Sequence, residues 1–226
     1  MTNANNKSKT TRVLIVDDHP AIREAIANTI ATKLDIEVVG EADSADNALR
    51  LIEKHRPDVA VVDISLNDTH GLDLVQNIRS LFSDTKVVVF SMYDEQVYAE
   101  RAIRAGASGY LMKSEPTQNI CQAIRSVQQG DIYLSQRMFS RILGKVASNR
   151  SKSPGFAVDE LTDREMAVFQ MLGEGHSIEA IADRLSLSRK TAEAYRRRAK
   201  EKLSLDTVGE LIQYAVRWVH SQAESR

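Results

Sequence analysis

The stretch VLIVDDHP, residues 13–20, places four aliphatic residues directly before two carboxylates, Asp17 and Asp18, which are followed closely by a proline. An aliphatic run bounded in this way is typical of a strand that is buried on both of its faces. The next segment, AIREAIANTIA, has apolar residues at helical spacing. We therefore predict that a buried strand ends at this acidic pair and that a helix follows it.

The same alternation is repeated along the first 130 residues. The pairs are RVLIV with AIREAIANTIA, IEVVG with SADNALRLIEK, DVAVVD with GLDLVQNIRS, KVVVF with DEQVYAERAIRAG, and GYLM with PTQNICQAIRSVQQG. Strands that are apolar on both faces and alternate with helices indicate a parallel sheet covered by helices on both sides. This part of the chain is therefore predicted to be an α/β domain with five strand–helix units.

The chain of 226 residues is long enough for two domains, each with its own core. The alternation stops after Gly130, where DIYLSQRMFSRILGKVA can form one more helix and SNRSKSPGFAVD has the composition of a linker. From Leu161 onward the pattern is helical only, and Thr162 with Glu165 forms a capping box. We predict a disordered tail at 1–11, an α/β domain at 12–130, a linker with room for a helix at 131–158, and an all-α domain at 159–222.

The composition excludes several classes of protein. The single cysteine, Cys121, cannot form an internal disulfide or a CxxC metal site, and its apolar neighbours at helical spacing predict a core thiol. No segment approaches the roughly 20 apolar residues that a membrane span requires, and the first residues, MTNANNKSKTT, lack an apolar stretch. We therefore predict a soluble, cytoplasmic protein without a membrane partner.

Polar residues follow four of the five predicted strands. Asp17 and Asp18 end the first strand, Asp63 ends the third, Ser91 ends the fourth and Lys113 ends the fifth. In an open parallel sheet the functional crevice lies at the carboxyl ends of the strands. Three carboxylates, a hydroxyl and an ammonium group are therefore expected to converge on one edge of the sheet.

This set of groups favours phosphoryl chemistry with a metal ion. Clustered carboxylates repel one another, and a hard divalent cation such as Mg²⁺, which prefers oxygen ligands, relieves the repulsion. One carboxylate can then act as a nucleophile toward a phosphoryl group, while the ammonium and hydroxyl groups stabilise its oxygens. The five histidines show no ligand spacing, and His19 is expected to be packed or hydrogen-bonded at the helix start rather than to bind metal.

The order DD, DIS, FS and K on strands one, three, four and five resembles the receiver domain of bacterial two-component response regulators, most closely the NarL/FixJ subfamily. The resemblance covers residues 12 to about 130 and implies a flavodoxin-like, five-stranded parallel sheet. It also implies a role for each matching residue: Asp63 is the phosphoacceptor; Asp17, Asp18, Asp63 and the Ser65 backbone carbonyl bind Mg²⁺; Ser91 and Lys113 stabilise the phosphoryl group; and Tyr110 is the aromatic switch.

One residue departs from the subfamily pattern. Asn67 stands four residues after the phosphoacceptor, where proline is usual, and this departure bears on the loop shape and on the lifetime of the phosphoryl group. Two alternatives remain at this point. A lone DD at a strand end is usually only a turn, and a receiver can keep its fold without being phosphorylated.

The segment RKTAEAYRRRAKEK is strongly basic, with seven Lys and Arg against two Glu, although the whole chain has a net charge of −1. On a helix over 188–203, one stripe is mostly apolar: Ala192, Tyr195, Ala199 and Leu203. The opposite side carries Glu193, Ala194, Arg197 and Lys200. Because a short helix, SIEAIADRL, and a tight SLS turn come before it, the pattern predicts a helix-turn-helix that lies in a major groove.

The segment from Leu161 to Leu203 resembles the LuxR-type helix-turn-helix that accompanies NarL/FixJ receivers, with Thr191 among the matching residues. By this resemblance Glu193, Ala194 and Arg197 face base edges, while Lys190, Arg196, Arg198 and Lys200 are placed for phosphates. Ala192 stands where valine is usual and Tyr195 where histidine is usual, and both bear on packing and docking. A solvated cationic helix is the alternative for the basic segment.

The resemblance implies a response regulator transcription factor that a sensor histidine kinase or phosphotransfer protein phosphorylates on an aspartate. Phosphorylation would control homodimerisation and binding to promoter or operator DNA, with no enzymatic activity beyond self-catalysed phosphoryl transfer and hydrolysis. The alternative is a protein-interaction receiver module with a degenerate or non-DNA-binding helical domain. An enzyme for small phosphorylated substrates is disfavoured, because no second substrate-sized domain covers the acidic pocket.

Overall fold

The computed structural model describes residues 10–66, 71–140, 157–185 and 187–224. The chain divides into two compact units, Met1–Gly144 and Lys145–Arg226. The predicted tail falls outside the described residues up to residue 9, and Asn67 also lies outside them. The first strand already begins at Thr11, one residue before the predicted start of the α/β domain.

The first unit is a five-stranded, all-parallel sheet with the order β2-β1-β3-β4-β5. The strands are β1 (Thr11–Val16), β2 (Ile36–Ala42), β3 (Val59–Val62), β4 (Lys86–Ser91) and β5 (Gly109–Met112). The helices are α1 (Pro20–Ala31), α2 (Ala45–His55), α3 (Gly71–Leu81), α4 (Glu95–Ala105) and α5 (Asn119–Gln128). The predicted parallel α/β fold, in its flavodoxin-like order, is confirmed.

The aliphatic runs form the centre of this sheet because both of its faces are covered. Alternate residues of β1, such as Val13 and Ile15, share one core with Ile26 of α1 and Ile124 of α5. The intervening residue Leu14 is also fully buried. Cys121 is only 2% exposed within the same core, as expected for a core thiol.

After α5 the described chain contains only helical elements and short connections, apart from the isolated bridge at Tyr133. Residues 136–140 are helical (α6), within the predicted linker, and a 3-10 turn spans Ala157–Glu160. The second unit then contains α7 (Asp163–Gly173), α8 (Ile178–Arg184), α9 (Arg189–Lys202) and α10 (Val208–Glu224). No helix in the described ranges has the length and apolar character that crossing a bilayer would need.

Side-chain caps mark where the helices of the second unit begin. The Oγ atoms of Ser177 and Ser188 accept from the third amide of α8 and of α9, at 3.2 and 3.1 Å. Thr207 caps α10 in the same way, with Oγ1 3.1 Å from the amide nitrogen of Glu210. At α7 the capping box is complete, since Thr162 and Glu165 each accept from the other's amide.

Glu165 has a second role inside the helical unit. Its carboxylate is 2% exposed and accepts from Lys202 Nζ at 2.7 Å, which ties the start of α7 to the end of α9. Burial alone would raise the pKa of Glu165, but the Lys202 ammonium and the Thr162 groups outweigh burial and lower it. A carboxylate whose folded pKa is lowered stabilises the fold above its unfolded pKa, and this stabilisation is lost as the pH falls.

Replacing Glu165 with glutamine tests this ion pair. Glutamine keeps the capping box but loses the charge, so we expect the helical unit to lose about 1 kcal/mol at about pH 7. The difference should shrink as the pH falls and vanish below the lowered pKa of folded Glu165, where the carboxylate is protonated. Urea unfolding followed by fluorescence reports on this unit, because the chain's single tryptophan, Trp218, packs 5.7 Å from the Phe169 ring.

The matched control is Glu201→Gln, which affects an exposed pair with Arg197 at 3.8 Å and should change stability little. A Glu165→Gln effect that did not shrink as the pH falls would contradict the assignment.

Candidate functional site

The predicted carboxylates come together at one edge of the sheet. Asp17 and Asp63 are 1% and 3% exposed, and one ligand atom from each of Asp17, Asp18, His19 and Asp63 lies within 4.8 Å of the others. The backbone fixes them there: the amide of Asp63 donates to the carbonyl of Val16 at 2.8 Å, which extends the β1–β3 ladder to the cluster. The adjacency of β1 and β3 therefore builds the acidic pocket.

Lys113 balances part of this negative charge. Its Nζ lies 2.6 Å from Asp17 Oδ2 and 2.8 Å from Asp63 Oδ2, and its side chain is 5% exposed. Burial and the Asp17 charge raise the pKa of Asp63 although the Lys113 ammonium acts to lower it. Conversely, the Asp63 and Asp17 carboxylates raise the pKa of Lys113, against the effect of its burial. The lysine is therefore held as a cation between two acids.

The pocket fits a hard cation. Asp63 Oδ1 is buried and accepts no hydrogen bond from any described residue, so one oxygen remains available to a ligand. The donors are carboxylate oxygens from Asp17, Asp18 and Asp63, which is the ligand type that Mg²⁺ prefers. Ser65 lies two residues after Asp63 in the same loop and is half-buried.

His19 occupies the rim of this cluster. Its Nδ1 lies 2.6 Å from Asp18 Oδ1 and 3.3 Å from Asp17 Oδ1. Its backbone amide donates to Asp17 Oδ1 at 2.9 Å, and the residue is the N-cap of α1. The imidazole is 65% exposed, so it pairs with the acids at the helix start, as expected, and does not line the buried pocket.

Ser91 and Tyr110 are both buried beside the pocket, and Tyr93 connects them. Ser91 Oγ accepts from the amide of Tyr93 at 3.1 Å, and the Tyr110 hydroxyl donates to the Tyr93 carbonyl at 2.8 Å. The Tyr93 ring stacks on Tyr98 with 4.6 Å between centroids. Burial is the main cause that raises the pKa of the Tyr110 phenol, so the ring is held neutral inside the domain without any modification of Asp63.

The basic segment forms one helix, α9, as predicted. Ala192, Ala199 and Leu203 on its inner stripe are buried, and Tyr195 is half-buried. Ala192 packs with Ile178 and Ala182 of α8, so the small residue lies at the contact between the two helices of the motif. The side expected to face DNA is more open, with Lys190, Arg197 and Arg198 exposed and Thr191, Glu193, Ala194, Arg196 and Lys200 half-buried.

Several charged groups of α9 are already paired. Lys200 Nζ donates to the Asp206 carbonyl at 2.9 Å, so this lysine closes the turn after α9 in addition to its predicted role. The Arg198 guanidinium lies 5.7 Å from the centre of the Tyr195 ring, within the range of a cation–π contact. Both side chains therefore have partners within the helical unit.

Sequence reasoning missed Arg189. Its Nη1 lies 3.2 Å from Glu179 Oε1 on α8 and its Nε lies 3.0 Å from Glu193 Oε1 on α9, so it bridges the two helices of the motif. The spacing of Arg189 and Glu193 by four residues was the available signal, because such residues are neighbours on a helix surface. The contact with Glu179 depends on the turn and has no such local signal.

Comparisons with known proteins agree with this geometry. The model of the response regulator receiver domain matches residues 13–125, and that of bacterial regulatory proteins of the luxR family matches residues 159–215. Response regulator GacA of Pseudomonas aeruginosa is 34% identical over 206 residues, which cover 91% of this chain and 95% of GacA. Oxygen regulatory protein NreC of Staphylococcus carnosus is 30% identical over 210 residues, which cover 91% of this chain and 97% of NreC.

Solved structures are also similar. A two-component response regulator of the LuxR family from Aurantimonas sp. SI85-9A1 is 31% identical, with a TM-score of 0.55 over 64% of this chain and 100% of that one. RcsB of Salmonella enterica serovar Typhimurium, bound to promoter rprA, shares the fold at 21% identity. Its TM-score is 0.59, and the match covers 92% of this chain and 99% of the RcsB chain.

The chain therefore belongs to the response regulators of the NarL/FixJ subfamily, which join a receiver domain to a LuxR-type helix-turn-helix. It is a response regulator transcription factor with a LuxR-type DNA-binding domain, and its family is not one of conventional enzymes.

Replacing Lys113 with methionine tests the buried charges. Asp17 and Asp63 would remain buried without their cation, and breaking such a pair should cost the receiver about 3 kcal/mol. Hydrogen exchange of the β1 and β3 amides measures this loss. Lys54→Met, on the exposed surface of α2, is the matched control and should leave the exchange unchanged. Equal exchange in the two variants would show that Lys113 does not balance the acids.

Proposed function

We propose that Asp63 accepts a phosphoryl group from a sensor histidine kinase or a phosphotransfer protein. The observation that carries this proposal is the buried pocket in which Lys113 contacts both Asp17 and Asp63 while Asp63 Oδ1 has no partner among the described residues. A buried carboxylate oxygen without a hydrogen bond is costly, and a functional ligand is the simplest reason for a fold to retain it.

The transfer step uses groups that are already in place. Asp63 Oδ1 would attack the phosphorus, and the bond from phosphorus to the donor's imidazole nitrogen, or to the oxygen of an acyl phosphate, would break. Mg²⁺, held by Asp17, Asp18, Asp63 and the Ser65 carbonyl, would neutralise the phosphoryl oxygens when bound. Lys113 Nζ, 2.8 Å from Asp63 Oδ2, is close enough to pair with the same oxygens.

Phosphorylation would act on association rather than on folding. Ser91 Oγ now accepts from the Tyr93 amide, and a phosphoryl group on Asp63 would offer the Ser91 hydroxyl a charged oxygen to which it can donate by rotating its side chain. Because Tyr93 also holds the Tyr110 hydroxyl, the loop after β4 and the face of α4 and β5 would change shape. Tyr110 would thus be the aromatic switch, in a chain that forms a homodimer when phosphorylated.

On DNA, α9 would lie in the major groove. Arg197 can donate in a bidentate pair to guanine, and Glu193 can accept from cytosine, with Ala194 beside them. Lys190, Thr191, Arg196, Arg198 and Lys200 would contact the phosphate backbone. Arg189 would hold one oxygen of Glu193 and leave the other for the base. A dimer would then require two half-sites about one helical turn or less apart.

We infer working boundaries of 12–130 for the receiver and 159–222 for the DNA-binding domain, with 1–11 as a tail and 131–158 as the linker. The ranges matched by the two family models support these boundaries. We also infer a cytoplasmic location, because the proposed kinase partner and promoter DNA must both reach the chain.

Asp63→Asn tests the phosphoacceptor. The variant should fold, and it should gain no phosphoryl group from an acyl phosphate in the presence of Mg²⁺, whereas the unchanged chain should gain one and lose the reaction when Mg²⁺ is chelated. Intact-protein mass measures the modification. Asp43→Asn, an exposed carboxylate in the same unit, is the matched control and should react normally. Modification retained in Asp63→Asn would refute the assignment.

A pair of arginine variants tests the orientation of α9. Arg197→Ala should cost about 1 to 3 kcal/mol on a matched operator and relax preference at one base pair. Arg196→Ala should weaken matched and random duplexes alike and reduce the salt slope by roughly one unit. Binding at several salt concentrations measures both effects, after selection of bound sequences from random duplexes has supplied the operator.

If Arg197→Ala weakened both DNAs equally while Arg196→Ala abolished discrimination, the helix would be rotated by about 100°, one residue of a 3.6-residue turn. The assignment of Glu193 to a base would then fall as well. Absence of salt-dependent binding to any duplex would favour the alternative, a receiver that docks proteins.

A further inference from the structure

Residues 131–138, called here the edge segment, lie along the outer edge of β5, the last strand of the sheet. Tyr133 forms a parallel bridge with Gly109. The Tyr133 amide donates to the Ser108 carbonyl at 3.0 Å, and the Tyr110 amide donates to the Tyr133 carbonyl at 2.8 Å. The start of the linker is therefore paired with the receiver sheet.

A glycine in β5 allows this close approach. A Cβ atom added at Gly109 would lie 3.0 Å from Tyr133 Cβ and 3.1 Å from the Tyr133 carbonyl oxygen, closer than ordinary van der Waals contact. The strand thus keeps room for the edge segment at the position that pairs with it.

The edge segment also contacts α4. Ser135 Oγ donates to Glu95 Oε1 at 2.6 Å and accepts from the amide of Met138 at 3.1 Å. Met138 is 1% exposed, so the segment is anchored by a buried apolar side chain as well as by polar contacts. One hydroxyl therefore joins α4 to the first turn of α6.

These contacts connect the edge segment to the pocket. Ser91 Oγ accepts from the Tyr93 amide, and the Tyr93 carbonyl accepts from the Tyr110 hydroxyl. The Tyr110 amide in turn donates to the Tyr133 carbonyl. Glu95, which holds Ser135, is the first residue of α4 and follows Tyr93 by two positions. Both anchors of the edge segment thus lie on the elements next to Ser91.

We propose that the edge segment is a releasable strap that couples the receiver pocket to the chain leading to the DNA-binding domain. The proposal rests on the phosphorylation of Asp63 proposed above. When the Ser91 side chain rotates to donate to the phosphoryl oxygens, its Oγ moves away from the Tyr93 amide, and the start of α4 shifts with Tyr93. The Ser135–Glu95 hydrogen bond joins α4 to the segment, so it breaks first, and Tyr133 then separates from β5.

Hydrogen exchange of the full chain tests the release. Beryllofluoride with Mg²⁺ mimics the phosphoryl group, and it should speed exchange of the Tyr133 and Met138 amides by about fivefold or more, which is the effect of one lost hydrogen bond. The Tyr93 amide reports separately on the Ser91 step. Unchanged or slower exchange at Tyr133 together with a changed Tyr93 amide would overturn the strap and leave the proposed function intact. No change at either amide would overturn both.

Two serine variants of the same segment sharpen the test. Ser135→Ala should speed exchange of the Tyr133 amide without beryllofluoride and should shrink the beryllofluoride effect on DNA affinity by about fivefold. It should leave acyl-phosphate labelling of Asp63 unchanged. Ser140→Ala is the matched control, because within the described part of the chain its hydroxyl donates to the Gln136 carbonyl, 2.9 Å away in α6, and not to α4. Equal behaviour of the two variants would refute the strap.

Discussion

Lys113 holds two buried carboxylates together, and the receiver is arranged around this contact. Its ammonium comes from the end of β5, while Asp17 and Asp63 come from the ends of β1 and β3. The order β2-β1-β3-β4-β5 makes this possible, because β1 and β3 are neighbours and only β4 lies between β3 and β5. Two acids and one cation leave a negative charge among buried side chains, and that imbalance is what a divalent cation can relieve.

The parts of this arrangement that sequence alone predicts are those with a local or periodic signal. Aliphatic runs that end in Asp17, Asp63 and Lys113 predict both the sheet and its polar edge, because the carboxyl ends of parallel strands meet. Serine and threonine caps likewise indicate where the helices of the second unit start, because their side-chain oxygens accept from amides three residues later. Each signal involves residues a few positions apart, so no knowledge of distant packing is needed.

Contacts between distant segments could not be predicted in this way. The Tyr110 hydroxyl bonds to a backbone carbonyl 17 residues earlier, and the edge segment pairs with β5 although it is neither apolar throughout nor alternating. Every residue has a backbone carbonyl, so no pattern of side chains in the sequence shows which carbonyl accepts a given hydrogen bond. In the second unit the same limit explains why Arg189 was missed: its contact with Glu179 depends on the turn between α8 and α9.

The buried position of Tyr110 limits how the receiver can respond to a phosphoryl group. The ring is 2% exposed and hydrogen-bonded while Asp63 is unmodified, so moving the ring inward is not a step that phosphorylation must drive. A modification shifts an equilibrium only through interactions that differ between the two states. Under the proposed phosphorylation of Asp63, the interaction that would differ is the one at Ser91, whose Oγ accepts from the Tyr93 amide in the unmodified chain. The proposed response would therefore pass through the Tyr93 backbone, whose amide donates to Ser91 and whose carbonyl accepts from the Tyr110 hydroxyl.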